Sequence, residues 1–215
     1  MLKAQIAKSS GMFIKVCGLT RSEEVAACLN MGIDATGFIF VPGSPREISQ
    51  DEARALPRGA ALRVGVFAKS SAARVLQIAD RAGLDYVQLH GGESTAYCKA
   101  IGPERIIKTI WPETMSAGQL EAVCAEFAPY CAAFLFDAGK SGGGSGKAFD
   151  WNMLKGLSLP HPWILAGGLN AVNINRAVRE CAPMGIDLNS GVELAPGIKN
   201  LELIEQIKNS LQGAE

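Results

Sequence analysis

At 215 residues, with 48% of them hydrophobic and 20% charged, the chain is long enough for one domain with a sizeable core. Its formal net charge is zero, so bulk electrostatics gives no hold on nucleic acid or on an anionic membrane surface. Six cysteines without C-x-x-C spacing argue against a disulfide framework, and no apolar run approaches the roughly 18 residues of a membrane span, which together point to a reducing compartment, the cytoplasm.

Residues 1–11 read as an N-terminal extension and residues 12–215 as one catalytic domain. The first β-branched and aromatic run, 12–17, is followed by Thr20 and Glu23 at capping-box spacing, and the second, 35–41, by Ser49 and Glu52 at the same spacing. The third, 62–67, precedes Ser70 and a helical stretch through Val75 and Ile78. Runs at 86–90 and 105–110 lead into helical stretches at 94–101 and 115–128. The sixth run, 132–137, is followed by a glycine-rich segment at 139–147 and a helical stretch at 151–157. The seventh, 163–166, precedes Asn170 and a helix through Val172 and Ile174; the eighth, 185–189, precedes a helix at 198–211. These runs are nearly continuously apolar, as in strands covered by helices on both sides, which predicts a parallel sheet. Eight strands alternating with eight helices on short connections predict an α/β fold, a single (β/α)8 TIM barrel, with an open doubly wound sheet as the alternative.

In such a barrel the site is built by the residues that close each strand. Cys17 ends the first strand beside Gly18 and is a candidate acid or base, against the reading of a buried core thiol. Asp137 ends the sixth and is a candidate partner acid, against a helix cap or salt-bridged strand end. Arg46, after the rigid Pro42 to Pro45 turn, presents a planar fork suited to a carboxylate, or is a surface arginine. Gly167 and Gly168 after the seventh strand, with Ser190 and Gly191 after the eighth, occupy the two loops that most often hold phosphate in barrels, the bland alternative being two tight turns. His90 ends the fourth strand as a wall or ligand contact. The glycine-rich segment is not a nucleotide loop, because Ser141 stands where the first glycine is needed and Ala148 replaces the magnesium-binding hydroxyl; a mobile lid carrying Lys140 and Lys147 is the expectation. Neither histidine, His90 or His161, lies at metal-ligand spacing and no dinucleotide fingerprint occurs, so no metal and no redox cofactor are expected.

Taken in order, these segments resemble phosphoribosylanthranilate isomerases from Phe13 to nearly the end of the chain. The resemblance is carried by Lys15-Val16-Cys17-Gly18-Leu19-Thr20, Ser44-Pro45-Arg46, Val64-Gly65-Val66-Phe67, Val87-Gln88-Leu89-His90-Gly91 and Gly143-Gly144-Ser145-Gly146-Lys147-Ala148-Phe149-Asp150-Trp151. It continues in Leu165-Ala166-Gly167-Gly168-Leu169 and Asp187-Leu188-Asn189-Ser190-Gly191-Val192-Glu193. It implies a cofactor-free Amadori rearrangement in tryptophan biosynthesis, with Cys17 as general base, Asp137 as general acid and Arg46 on the anthranilate carboxylate. The expected partner is a small phosphorylated substrate, with no nucleic acid, no membrane and a monomeric enzyme. Histidine-pathway or dual-substrate barrels resemble an alternative but carry an aspartate where this chain has Cys17. A non-catalytic phosphometabolite-binding barrel would need neither Cys17 nor Asp137. Asp187, Asn189 and Glu193 receive no assigned role from sequence.

Overall fold

A computed structural model describes residues 2, 11–137 and 151–212. Nearly all of the expected N-terminal extension, and the expected lid with Lys140 and Lys147, lie outside the described residues.

Eight strands close into a barrel in chain order: β1 (Phe13–Val16), β2 (Ala35–Ile39), β3 (Leu62–Phe67), β4 (Tyr86–Leu89), β5 (Ile106–Ile110), β6 (Ala133–Asp137), β7 (Trp163–Ala166) and β8 (Gly185–Leu188). Every neighbouring pair is parallel, and β8 returns to β1 with Phe13 opposite Gly185 and Lys15 opposite Asp187. Side chains alternate across each strand, so the apolar runs feed two cores at once. Phe13, Leu62, Val64, Tyr86, Leu135 and Ile164 form a cluster inside the barrel. Ile14, Phe38, Val87, Phe134, Phe136 and Ile186 belong to the larger core between sheet and helices. Leu2, the one described residue before Gly11, is buried in the interior cluster beside the strand starts.

Seven α-helices surround the barrel among the described residues: α1 (Ser22–Asn30), α2 (Gln50–Ala55), α3 (Ala72–Ala82), α4 (Thr95–Ile101), α5 (Ala117–Phe127), α6 (Ile174–Cys181) and α7 (Leu201–Gln212). Ser49 and Glu52 form the expected capping box on α2, and Ser116 with Gln119 forms another on α5. The Thr20 pattern does not cap. α1 starts one residue later, on Arg21 with no side-chain cap, because the Thr20 hydroxyl is drawn away to donate to the Gly197 carbonyl at 3.3 Å. Ser71 rather than Ser70 caps α3. Asn170 spends its side-chain oxygen on the backbone N–H groups of Val172 and Asn173, a local turn that delays α6 to Ile174. The 151–157 stretch forms a short 3-10 turn, Trp151–Leu154, in place of the expected helix. The last helix also starts late, since Glu193–Ala195 and Ile198–Lys199 pair as an antiparallel hairpin, β9 and β10, turned at Gly197 with φ +82°.

Four strands, β1, β2, β4 and β8, stop pairing one or two residues before their expected run ends, yet the backbone ladder carries on. The Cys17 N–H donates to the Leu188 carbonyl at 2.8 Å, and the His90 N–H to the Phe67 carbonyl at 2.8 Å. Both side chains are thereby fixed at the carboxyl-terminal rim by the sheet itself.

Candidate active site

A cavity of about 480 Å³ opens at that rim. Of the seven site residues expected from sequence, Cys17, Asp137, Gly167, Gly168, Ser190 and Gly191 line it, and so does His90; Arg46 does not.

Cys17 is almost wholly buried, and a glycine makes room for it: a Cβ on Gly37 of β2 would lie 2.8 Å from its Sγ and 2.9 Å from its Cα. Burial pushes the Cys17 thiol above its ordinary value, while the Lys15 ammonium draws it back down. Lys15 is fully buried, with Nζ 2.7 Å from Asp187 Oδ2. Burial alone would lower Lys15, but Asp187 and Cys17 together hold it above its ordinary value.

Asp137 closes β6 with its Oδ2 3.4 Å from His90 Nε2. The His90 ring meets Trp111 edge-on, with centroids 5.1 Å apart. Burial pushes His90 below its ordinary value and the nearby Lys15 charge adds to that, while the Asp137 carboxylate pulls the other way. His161 lies elsewhere, its Nε2 2.7 Å from the Ala128 carbonyl oxygen.

Arg46 reaches the rim from the turn after β2 but is held there by Glu193, donating from Nε at 2.8 Å and from Nη2 at 2.6 Å. Glu193 in turn accepts from the fully buried Lys199 side chain at 2.7 Å, and Lys199 donates to Asn189 Oδ1 at 2.9 Å. The Arg46 side chain crosses Gly18, whose φ is +73° and where a Cβ would meet Arg46 Cδ at 2.8 Å. The hairpin carboxylate thus fixes the guanidinium outside the lining of the cavity, whereas the sequence predicts that it faces the site.

The two glycine loops are interlocked. Gly167 and Gly168 both have positive φ, and the Asn173 side chain ties the Gly168 carbonyl at 2.9 Å. A Cβ on Gly191 would lie 1.9 Å from the Leu169 carbonyl oxygen, so the loop after β8 passes the loop after β7 too closely for any side chain. The result is an uncharged, backbone-lined rim suited to an anion.

Lys15 and Lys199 escaped the sequence reading as site components, and Glu193, left there without a role, braces Arg46. Lys15 had a legible signal, because a lysine two residues before Cys17 in a strand buried on both faces shares its inward face and needs a counter-charge. The Glu193–Lys199 pair depends on the β9–β10 hairpin and had no local signature.

The profile of the family described as N-(5'phosphoribosyl)anthranilate (PRA) isomerase matches residues 14–210. N-(5'-phosphoribosyl)anthranilate isomerase of Maridesulfovibrio salexigens is 46% identical over 189 residues, covering 87% of this chain and 92% of the relative. Its counterpart from Desulfovibrio desulfuricans is 46% identical over 192 residues, covering 89% and 91%. Among solved structures, the phosphoribosyl anthranilate isomerase of Thermotoga maritima superposes with a TM-score of 0.81 at 32% identity, over 94% of this chain and 99% of that one. A phosphoribosyl anthranilate isomerase bound to reduced 1-(o-carboxyphenylamino)-1-deoxyribulose 5-phosphate superposes with a TM-score of 0.77 at 30% identity, over 94% and 99%.

Proposed function

The chain belongs to the N-(5'-phosphoribosyl)anthranilate isomerase family, and from that premise we propose which of its residues carry the reaction. It is an isomerase of tryptophan biosynthesis that rearranges N-(5-phosphoribosyl)anthranilate to 1-(2-carboxyphenylamino)-1-deoxyribulose 5-phosphate. The observation that carries the residue assignment is that Cys17 and Asp137, from β1 and β6, face one cavity whose remaining rim is made by the two glycine loops.

Asp137, protonated, gives its proton to the ribose ring oxygen. The ring C–O bond breaks, and the nitrogen lone pair forms the iminium at C1. Cys17, as thiolate, then removes the proton from C2, and those electrons neutralise the nitrogen. The resulting enolamine gains a proton at C1 and loses one from the C2 hydroxyl, which restores the starting protonation of the pair. Burial disfavours the charged form of His90, which stands 3.4 Å from Asp137, and that supports this. Backbone N–H groups around Gly167, Gly168, Ser190 and Gly191 bind the phosphate, and Arg46, whose Nε and Nη2 are engaged by Glu193, keeps Nη1 to offer the anthranilate carboxylate at the edge of the cavity. The proton chemistry needs no cofactor. A monomer in the cytoplasm completes the reading, supported by six free cysteines and tested by a light-scattering mass of one chain.

The test is loss of substrate fluorescence on adding purified protein. Wild type is expected to clear the substrate and Cys17→Ala to slow clearance on the order of 10²- to 10⁴-fold; a Cys17→Ala variant as fast as wild type would remove Cys17 from the mechanism.

A further inference from the structure

Beneath the cavity floor lies a charged group that proton transfer by Cys17 and Asp137 does not by itself require. Lys15 sits at the centre of β1 with no exposed surface, two residues before Cys17 on the same inward face. Its Nζ is 2.7 Å from Asp187 Oδ2, directly across the β1–β8 register, and its charge bears on the Cys17 thiol along the same inward face. Asp187 Oδ1 is buried with no hydrogen-bond partner among the described residues.

As a structural device this is a poor one. Apolar side chains of similar volume would serve a barrel core as well or better, because the attraction within a buried ion pair does little more than offset desolvation. Here even the hydrogen bonding is incomplete. What the pair does provide is a fixed positive charge that opposes the burial pushing this sulfur toward the neutral thiol.

We propose that Lys15 is a positioning residue that stabilises Cys17 as the thiolate, with Asp187 across the sheet keeping Lys15 charged. The inference rests on the reading of Cys17 as the general base. The charges that face the sulfur are Lys15, Lys199 and Arg46 in favour of the thiolate and Asp187 against it, and His90 and Asp137 stand near the same group. Of these, Lys15 alone stands on β1, two residues before Cys17 on the same inward face. Asp187 thus has two opposed effects, which gives the proposal a signature of sign. Removing Lys15 makes the thiolate harder to form. Removing the Asp187 charge frees Lys15 to pair with sulfur alone and makes the thiolate easier to form.

The experiment is the pH dependence of iodoacetamide alkylation of Cys17 in the full chain, with the Cys17 peptide quantified by mass spectrometry. Lys15→Met is expected to move the midpoint up by about 1 to 3 units, and Asp187→Asn to move it down by about 1 unit. Midpoints that stay put, or that move in the same direction in both variants, overturn the proposal. If Lys15→Met does not fold, Lys15→Met/Asp187→Asn, which leaves no lone buried charge, is expected to show a higher midpoint than Asp187→Asn alone and refutes the proposal if it does not. Because the readout is sulfur reactivity and not turnover, loss of the base assignment, seen as an active Cys17→Ala, is distinguishable from loss of the Lys15 proposal.

Discussion

Glu193→Gln removes one charge from a chain of contacts that runs Arg46, Glu193, Lys199, Asn189 and changes side-chain volume very little. Glu193 and Lys199 are buried at 4% and 0% side-chain exposure, and Arg46 is at 18%. Breaking a buried pair by neutralising one partner costs about 3–5 kcal/mol when the other charge is left stranded. Lys199 keeps its bond to Asn189 Oδ1, and glutamine retains one acceptor oxygen, so the expected loss is smaller, about 2–4 kcal/mol. Urea unfolding at neutral pH measures it. Burial pushes the Glu193 carboxyl up, but hydrogen bonds and charge from Arg46 and Lys199 prevail and hold it below its ordinary value of 4.5. A lowered folded value means that the charge contributes stability above the unfolded value, and that this contribution is lost as pH falls through the folded one. The gap between wild type and Glu193→Gln should therefore close as pH drops below about 4. A gap under about 0.5 kcal/mol at neutral pH, or one that persists unchanged into acid, would refute the reasoning.

Gly191→Ala drives a methyl group into the Leu169 carbonyl and should raise KM for the phosphorylated substrate while destabilising the fold by about 1–3 kcal/mol, read from initial rates and thermal melts. Gly37→Ala crowds Cys17 from β2, so kcat should fall with KM little changed. Ser49→Ala loses a capping box and should cost about 1 kcal/mol, whereas Thr20→Ala loses one 3.3 Å bond and should cost under about 0.5 kcal/mol; equal costs in urea unfolding would contradict the assignment of the two helix starts.

The barrel was legible because its strands are buried on both faces, so β3, interrupted by Arg63, and β7 stand out as apolar runs with the boundaries expected from sequence. Helix starts were less legible. Ser49 caps as its spacing implies, but Thr20 has the same spacing and is claimed by the distant Gly197 carbonyl, a contact no local pattern reveals. Cys17, Asp137 and the glycine loops were reachable by asking what closes each strand, since β-structure fixes direction. The clamp on Arg46 was not, because Glu193 and Lys199 meet it only through a hairpin that the sequence presents as the beginning of a helix. The Lys15–Asp187 pair joins residues 172 positions apart, and only the closure of β8 on β1 brings them together.

The assignment of Cys17 and Asp137 as base and acid is tested most directly by single-turnover loss of substrate fluorescence with enzyme in excess, in Cys17→Ala and Asp137→Asn variants whose near-ultraviolet circular dichroism matches wild type. Both variants are expected to slow the decay on the order of 10²- to 10⁴-fold; a folded variant of either kind that decays at the wild-type rate would contradict it.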